Sequence, residues 1–254
     1  MSPPRFFVPN FPREPGGQLD AAESKHAMQV LRLKVGQLIE VFDGAGLSAQ
    51  ARIASIDNKH VSFEVLEILS NGPPHGVSLE MAVALPRGDR QKILVDTLCQ
   101  LGVTRLQPLS CDRSVAEATA NAIERLNRQV LETCKQCRRN ELMIVESPVT
   151  VNELVRMDSV KRRIRLLAHP YGDVPELFDV LCRRDGTDVQ QILMAVGPEG
   201  GFTDDEVFRL VSAGWQQVSL GPRILRVETA ASALAAIALA VSNSSRASGG
   251  NIIE

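Results

Sequence analysis

From residue 77 onward, short apolar runs alternate with helix-like stretches, and this alternation narrows the possible folds more than any other feature. The runs are Leu79–Leu85, Val103–Leu109, Leu142–Val145, Ile164–Ala168, Ile192–Val196 and Val218–Leu220. Between them lie helical candidates such as Arg90–Leu101, Ala120–Cys137 and Thr203–Ala213, the last with Thr203 as N-cap and Glu206 three positions on, a capping box. Strands that alternate with helices pair in parallel, because each crossover helix returns the chain to the same end of the sheet. The pattern predicts an α/β fold with a parallel sheet flanked by helices, and it leaves the strand order open.

Residues 1–72 read differently. Gln37–Phe42 and Ser48–Ala54 are strand-like runs joined across Asp43-Gly44-Ala45-Gly46, and Val61–Leu66 alternates with period two. Closely spaced strands predict a small β-barrel, accompanied by one helix over Asp20–Leu33 in which His26, Val30 and Leu33 share a face. The Val41–Gly46 string has the look of a glycine-rich cofactor loop, but a strand-like run follows it where such a loop must open a helix. A hairpin turn is the expectation. Ser70–Gly76, rich in Gly and Pro, is the clearest linker, so the domains are read as 1–72 and 73–254.

A formal net charge of −2 rules out a whole-protein attraction to polyanions, so any nucleic-acid site has to be a local basic patch. Arg5, Arg13, Lys25, Arg32 and Lys34 supply such character near the amino end; Arg125, Arg128, Lys135, Arg138 and Arg139 do so along one predicted helix. Lys161-Arg162-Arg163 is read as a surface turn. The five cysteines include the pair Cys134 and Cys137, but no second pair stands at zinc-site spacing, so no metal is expected and the thiols are read as reduced, in a cytoplasmic protein. The most apolar segment, Ala230–Val241, is too short and alanine-rich to span a bilayer.

Two loops near the end concentrate the functional signal: Gly197-Pro198-Glu199-Gly200-Gly201, and Leu220-Gly221-Pro222-Arg223-Ile224-Leu225-Arg226-Val227-Glu228-Thr229-Ala230. Each follows an apolar run and precedes a helix-like stretch. Two such turns at the carboxyl ends of neighbouring strands form a crevice walled by backbone, where open α/β sheets place ligands.

With these loops, His26, Val30-Leu31-Arg32, Gly36, Pro86-Arg87-Gly88-Asp89-Arg90, Leu101-Gly102-Val103, Arg113-Ser114 and Gln136-Cys137 with Arg139, the chain resembles the RsmE family. Members of this family are bacterial methyltransferases that modify N3 of a uridine in small-subunit (16S) ribosomal RNA. They belong to the SPOUT, trefoil-knotted class. The resemblance implies a carboxyl-terminal knot, a PUA-like RNA-binding amino domain and S-adenosylmethionine as cofactor. It also implies a cofactor site at Leu167, Ala168, Gly197, Pro198, Glu199, Gly200, Leu220, Gly221, Ile224, Leu225 and Thr229. Arg32, Arg113, Arg128 and Arg139 are candidates for RNA contact, and Arg226 and Glu228 for catalysis. Glu228 is read either as a base or as the ion-pair partner that orients Arg226, and Glu199 either as a cofactor contact or as a cap for the helix near Thr203. The apolar helix over Thr229–Ala240 predicts a homodimer, as in SPOUT relatives.

Departures from the family pattern fall at Thr97 and Gln100, at Lys135 and Arg138, and near Met143, where a proline is absent. They lie on the side assigned to RNA, so alternatives stay open: an RNA-binding ribosome-assembly factor without turnover, or a methyltransferase for another RNA. Partners expected on the leading reading are small-subunit ribosomal RNA within the assembled subunit and a second copy of the chain, with no membrane.

Overall fold

The computed structural model describes residues 3–9, 16–72, 76–157, 163–183 and 191–249. The chain divides into two compact units, Met1–His75 with Leu131–Leu142, and Gly76–Val130 with Met143–Glu254. The sequence reading assigns 131–142 to the second domain, whereas by packing the segment belongs to the first unit. Residues 73–75 of the expected linker lie outside the described residues, as does Arg13.

The first unit is a five-stranded mixed sheet in the order β1-β3-β4-β5-β2, with β1 Arg5–Phe7, β2 Gly16–Gln18, β3 Leu38–Phe42, β4 Leu47–Ile56 and β5 Val61–Asn71. β4 and β5 pair with three register shifts, irregularities that bend and twist long strands. Phe6, Ile39, Val41, Ala51, Ile53 and Phe63 fill its core. The Asp43–Gly46 segment is the expected hairpin turn. Asp43 Oδ1 accepts from the N–H groups of Ala45 and Leu47 at 2.7 and 3.0 Å, and Gly44 and Gly46 have φ of 78° and 110°. β1 and β2 have no counterpart in the sequence reading, because three-residue strands carry too little alternation to be seen.

The helix expected over Asp20–Leu33 is shorter and bent. α1 spans Ala21–Lys25, capped by Asp20, and continues as one π-helical turn over His26–Val30. Leu31 N–H donates to His26 five residues back, and Arg32 follows with φ 52°. The extra residue in the turn rotates the expected face: Ala27 is buried and Met28 and Leu33 pack on the core, while Val30 is left 66% exposed.

The second unit carries the seven-stranded sheet, all of whose pairings are parallel. Its strands are β6 Ser78–Ala84, β7 Arg105–Ser110, β8 Ile144–Val145, β9 Val149–Thr150, β10 Arg163–Ala168, β11 Gln191–Val196 and β12 Gln216–Val218, in the order β12-β10-β11-β6-β7-β8 with β9 beside β7. The helices are α2 Arg90–Gln100, α3 Ala120–Cys137 (of which residues from Leu131 on belong to the first unit), α4 Val151–Met157, α5 Leu177–Cys182, α6 Asp204–Ser212 and α7 Val227–Gly249. Leu193 and Ala195 share a core with Val151, Leu154 and Leu210, and the alternate residues Ile192, Met194 and Val196 are buried as well. Both faces of the sheet are therefore covered, as a parallel sheet requires. α7 returns from the edge strand β12 to pack on β6, β11 and α2.

Arg163 does not sit in a surface turn. It opens β10, and its guanidinium donates to Glu80 of β6 at 3.0 Å and to Gln191 of β11 at 3.1 Å. Lys161 and Arg162 lie outside the described residues.

Candidate active site

β11 and β12 are not neighbours. β10 lies between them, so the crevice is built from three strand ends instead of two. Loop residues after β10 (His169, Pro170 and Tyr171), after β11 (Gly197, Pro198, Glu199, Gly201 and Phe202) and after β12 (Ser219, Leu220, Arg223, Ile224 and Leu225) converge above the carboxyl ends of the sheet. The first turn of α7, through Val227 and Ala230, closes one side of the crevice.

Each loop has a local reason for its shape. Gly201 N–H donates to Pro198 C=O at 2.8 Å, closing a tight turn, and Gly201 itself has φ 70°. Thr203 then starts α6 with the expected capping box: its hydroxyl accepts from Glu206 N–H, and Glu206 accepts from Thr203 N–H at 2.8 Å. The second oxygen of Glu206 accepts from Asp112 N–H at 3.0 Å. Because Thr203 is the cap, Glu199 is free of that duty. In the β12 loop, Gly221 has φ 93° and Ser219 Oγ accepts from Gly221 N–H at 3.0 Å.

Of the residues expected around a cofactor, Ala168, Gly197, Pro198, Glu199, Leu220, Ile224 and Leu225 line the crevice. Leu167, Gly200, Gly221 and Thr229 do not: Leu167 is buried in the sheet core and Thr229 is exposed. Gly200 and Gly221 shape their loops without lining the space between them. Ile224 is 77% exposed at the rim, which rules out a core role. Val196, Val218, Leu220 and Leu225 supply an apolar slot suited to a planar base, loop backbone supplies polar groups, and Glu199 places a carboxylate at the wall. That set of groups fits a nucleoside ligand carrying positive charge.

His169 also lines the crevice. Its ring meets Tyr171 edge-on at 5.1 Å, and burial pushes its pKa below the ordinary value, with Asp204 opposing the shift. Tyr171, Phe202 and Arg223 are lining residues without an assigned role in the sequence reading.

The expected pairing of Arg226 with Glu228 does not form. Among the described residues no side chain pairs with Arg226, which is exposed, while Glu228 is buried and faces Arg90. Arg90, at the start of α2, reaches Glu199 at 2.9 Å and Glu228 at 4.0 Å. The Pro86–Arg90 string contained the signal for Arg90, without its role.

The candidate RNA contacts disperse. Arg113 donates to the carbonyls of Gly200 and Phe202 at 3.0 and 3.4 Å, so it braces the β11 loop. Arg128 is exposed and pairs with Glu124 one turn before it. Arg139 is mostly buried, 3.9 Å from Glu141, and is not displayed to solvent. Arg5 is buried as well, paired with Glu40 at 2.9 Å and stacked 4.3 Å over Phe42. Lys135 and Arg138 likewise pair with buried Glu23 and Glu40. Arg125 donates to Gln91. Arg32, Lys25 and Lys34 remain exposed. Cys134 is buried and Cys137 exposed, and no group of three metal-ligating side chains occurs among the described residues.

Comparison with known proteins gives a consistent picture. Residues 73–239 match the RNA methyltransferase domain family, and residues 19–66 match the RNA methyltransferase PUA domain family. The ribosomal RNA small subunit methyltransferase E of Synechocystis is 34% identical over 84% of this chain and 69% of its own length. The protein of the same name from Rickettsia conorii is 33% identical over 80% of each. A Neisseria gonorrhoeae ribosomal RNA small subunit methyltransferase E, solved bound to S-adenosylmethionine, superposes with TM-score 0.78 at 28% identity, covering 92% of this chain and 96% of its own. A Legionella pneumophila structure with bound S-adenosylmethionine superposes with TM-score 0.81 at 26% identity, covering 96% and 98%.

Proposed function

This chain belongs to the ribosomal RNA small subunit methyltransferase E family, of the SPOUT fold class, and we propose that it methylates N3 of a uridine in small-subunit ribosomal RNA. The observation that carries the reading is the crevice over β12, β10 and β11, where seven of the expected cofactor residues meet. Ala168, Gly197, Pro198, Glu199, Leu220, Ile224 and Leu225 would hold S-adenosylmethionine, which supplies an electrophilic methyl group when bound.

Uracil N3 carries a proton at neutral pH, so the acceptor must become anionic before or as it reacts, and a nearby cation lowers the energy of that anion. Arg226, exposed beside the crevice and without an internal partner among the described residues, is the side chain assigned to this task. Replacing it with Ala should cut turnover about a hundredfold, the scale of one charge-assisted hydrogen bond that forms only in the transition state, with little change in cofactor affinity.

The amino-terminal unit would contribute to RNA binding through Lys25, Arg32 and Lys34. A homodimer acting in the cytoplasm completes the reading. α7 buries Val227, Ala231, Leu234, Ala235 and Ala238 but leaves Ala236 and Ala240 exposed, and α2 and α5, which pack against it, expose Ile93 and Phe178. No helix among the described residues is long and apolar enough to cross a membrane. The decisive experiment is calorimetric titration with S-adenosylmethionine, followed by mapping of uridine-N3 methylation in ribosomal RNA from a deletion strain. Loss of one mark on deletion, restored by the gene, is the expected result. Absence of cofactor binding, or an unchanged methylation map, would overturn it.

A further inference from the structure

Glu228 holds its carboxylate in the first turn of α7, with the residue only 7% exposed. Its Oε2 is buried and makes no hydrogen bond. The guanidinium facing that oxygen is Arg90, at 4.0 Å, beyond hydrogen-bond reach. Arg90 is drawn away by Glu199, to which it is bonded at 2.9 Å. One cation thus serves two carboxylates, and the one it fully satisfies is the crevice-lining Glu199, itself 31% exposed at the side chain. A buried carboxylate oxygen with no donor is costly, and the cost is relieved if the guanidinium moves toward it.

We propose that Arg90 is a positioning residue shared by Glu199 and Glu228, and that a cationic ligand engaging Glu199 releases it to hydrogen-bond Glu228. Occupancy of the crevice is thereby coupled to the first turn of α7, the segment that follows Arg226. The ligand class is one presenting positive charge to Glu199, and S-adenosylmethionine is the probe, so the inference rests on the cofactor reading above. Glu228 does not line the crevice. It can influence ligand affinity only through a neighbour, and Arg90 is the neighbour that reaches both.

Calorimetry across a double-mutant cycle tests this, with S-adenosylmethionine titrated into the full chain, Glu228→Gln, Glu199→Gln and the double variant. Circular dichroism verifies folding of each. Glu228→Gln should weaken binding about tenfold in the native background, because the released guanidinium finds a poorer acceptor. In the Glu199→Gln background it should change binding less than about twofold, because Arg90 already sits on Glu228 there; the difference is a coupling of the size expected for groups in one network. Arg90→Lys should retain part of the coupling and Arg90→Gln none. Equal effects of Glu228→Gln in both backgrounds, or no effect in either, would overturn the proposal while leaving the crevice assignment intact. A native chain that binds no S-adenosylmethionine would instead defeat the cofactor reading, and this inference with it.

Discussion

Gly197 and Phe202 exclude each other's volume. A Cβ added to Gly197 would lie 2.8 Å from Cδ2 of the Phe202 ring, closer than carbon atoms pack. Phe202 is 4% exposed and shares a core with Leu193, Ala195 and Trp215, so displacing the ring disturbs that packing. Gly197 does not have positive φ, so its smallness is what the site uses. Even Gly197→Ala should therefore destabilise the second unit by about 1–3 kcal/mol through overpacking. Gly197→Ala combined with Phe202→Leu should recover part of the loss, readable as the urea midpoint. An unshifted midpoint in Gly197→Ala would refute the steric account.

Gly221 is the opposite case. Nothing lies within 4 Å of the position its Cβ would take, but its φ is 93°. Substitution is penalised by backbone conformation, with a cost of about 1–2 kcal/mol for Ala. Gly221→Asn should be milder than Gly221→Val, because Asn tolerates positive φ and β-branched residues do not. Thermal melts of the two variants check the ranking.

Arg113 is committed to the Gly200 and Phe202 carbonyls. Arg113→Ala should loosen the β11 loop and lower S-adenosylmethionine affinity several-fold, because two loop carbonyls lose a charged donor. The salt dependence of RNA binding should keep its slope, as expected when no phosphate contact is lost. A flatter slope would return Arg113 to the RNA surface.

Burial of Cys111, with Glu206 adding to it, pushes its thiol up to about 12, so it carries almost no thiolate at pH 8. Cys99 and Cys134 are also buried, whereas Cys137 and Cys182 are exposed. Iodoacetamide on the folded protein should label Cys137 and Cys182 and spare the other three. Mass spectrometry of the peptides reads the pattern, and fast labelling of Cys111 would contradict its burial.

His169 has its pKa lowered by desolvation, against a weaker opposing pull from Asp204. The unfolded chain therefore binds a proton at higher pH than the folded one. Stability from this residue is complete above the unfolded value, near 6.5, and is lost as pH falls from there through the folded value. His169→Gln should flatten stability across that window, and the His169 ring should titrate below 6.5 by NMR.

The alternation of apolar runs with helical segments was enough to read a parallel, doubly covered sheet, because burial on both faces demands continuous apolar strands. The Asp43–Gly46 turn and the Thr203–Glu206 capping box were equally legible, since their hydrogen bonds join residues two to four positions apart. Most of the crevice could be named for a related reason: its walls are loops contiguous in sequence, each announced by Gly and Pro.

What the sequence could not decide was every relationship made across the fold. It did not show that β10 separates β11 from β12, because strand order depends on how crossovers pack and not on any local period. Nor did it show which cations are used internally. Arg5, Lys135 and Arg138 read as a basic surface, yet the tertiary structure sets them against the buried carboxylates of Glu40 and Glu23, where desolvation makes pairing obligatory. Arg226 and Glu228 are two residues apart, but Arg226 lies before α7 and is exposed, whereas Glu228 sits in the first turn of the helix and is buried. The partner of Glu228 therefore came from Arg90, more than a hundred residues away in sequence and brought near only by the packing of α7 on α2.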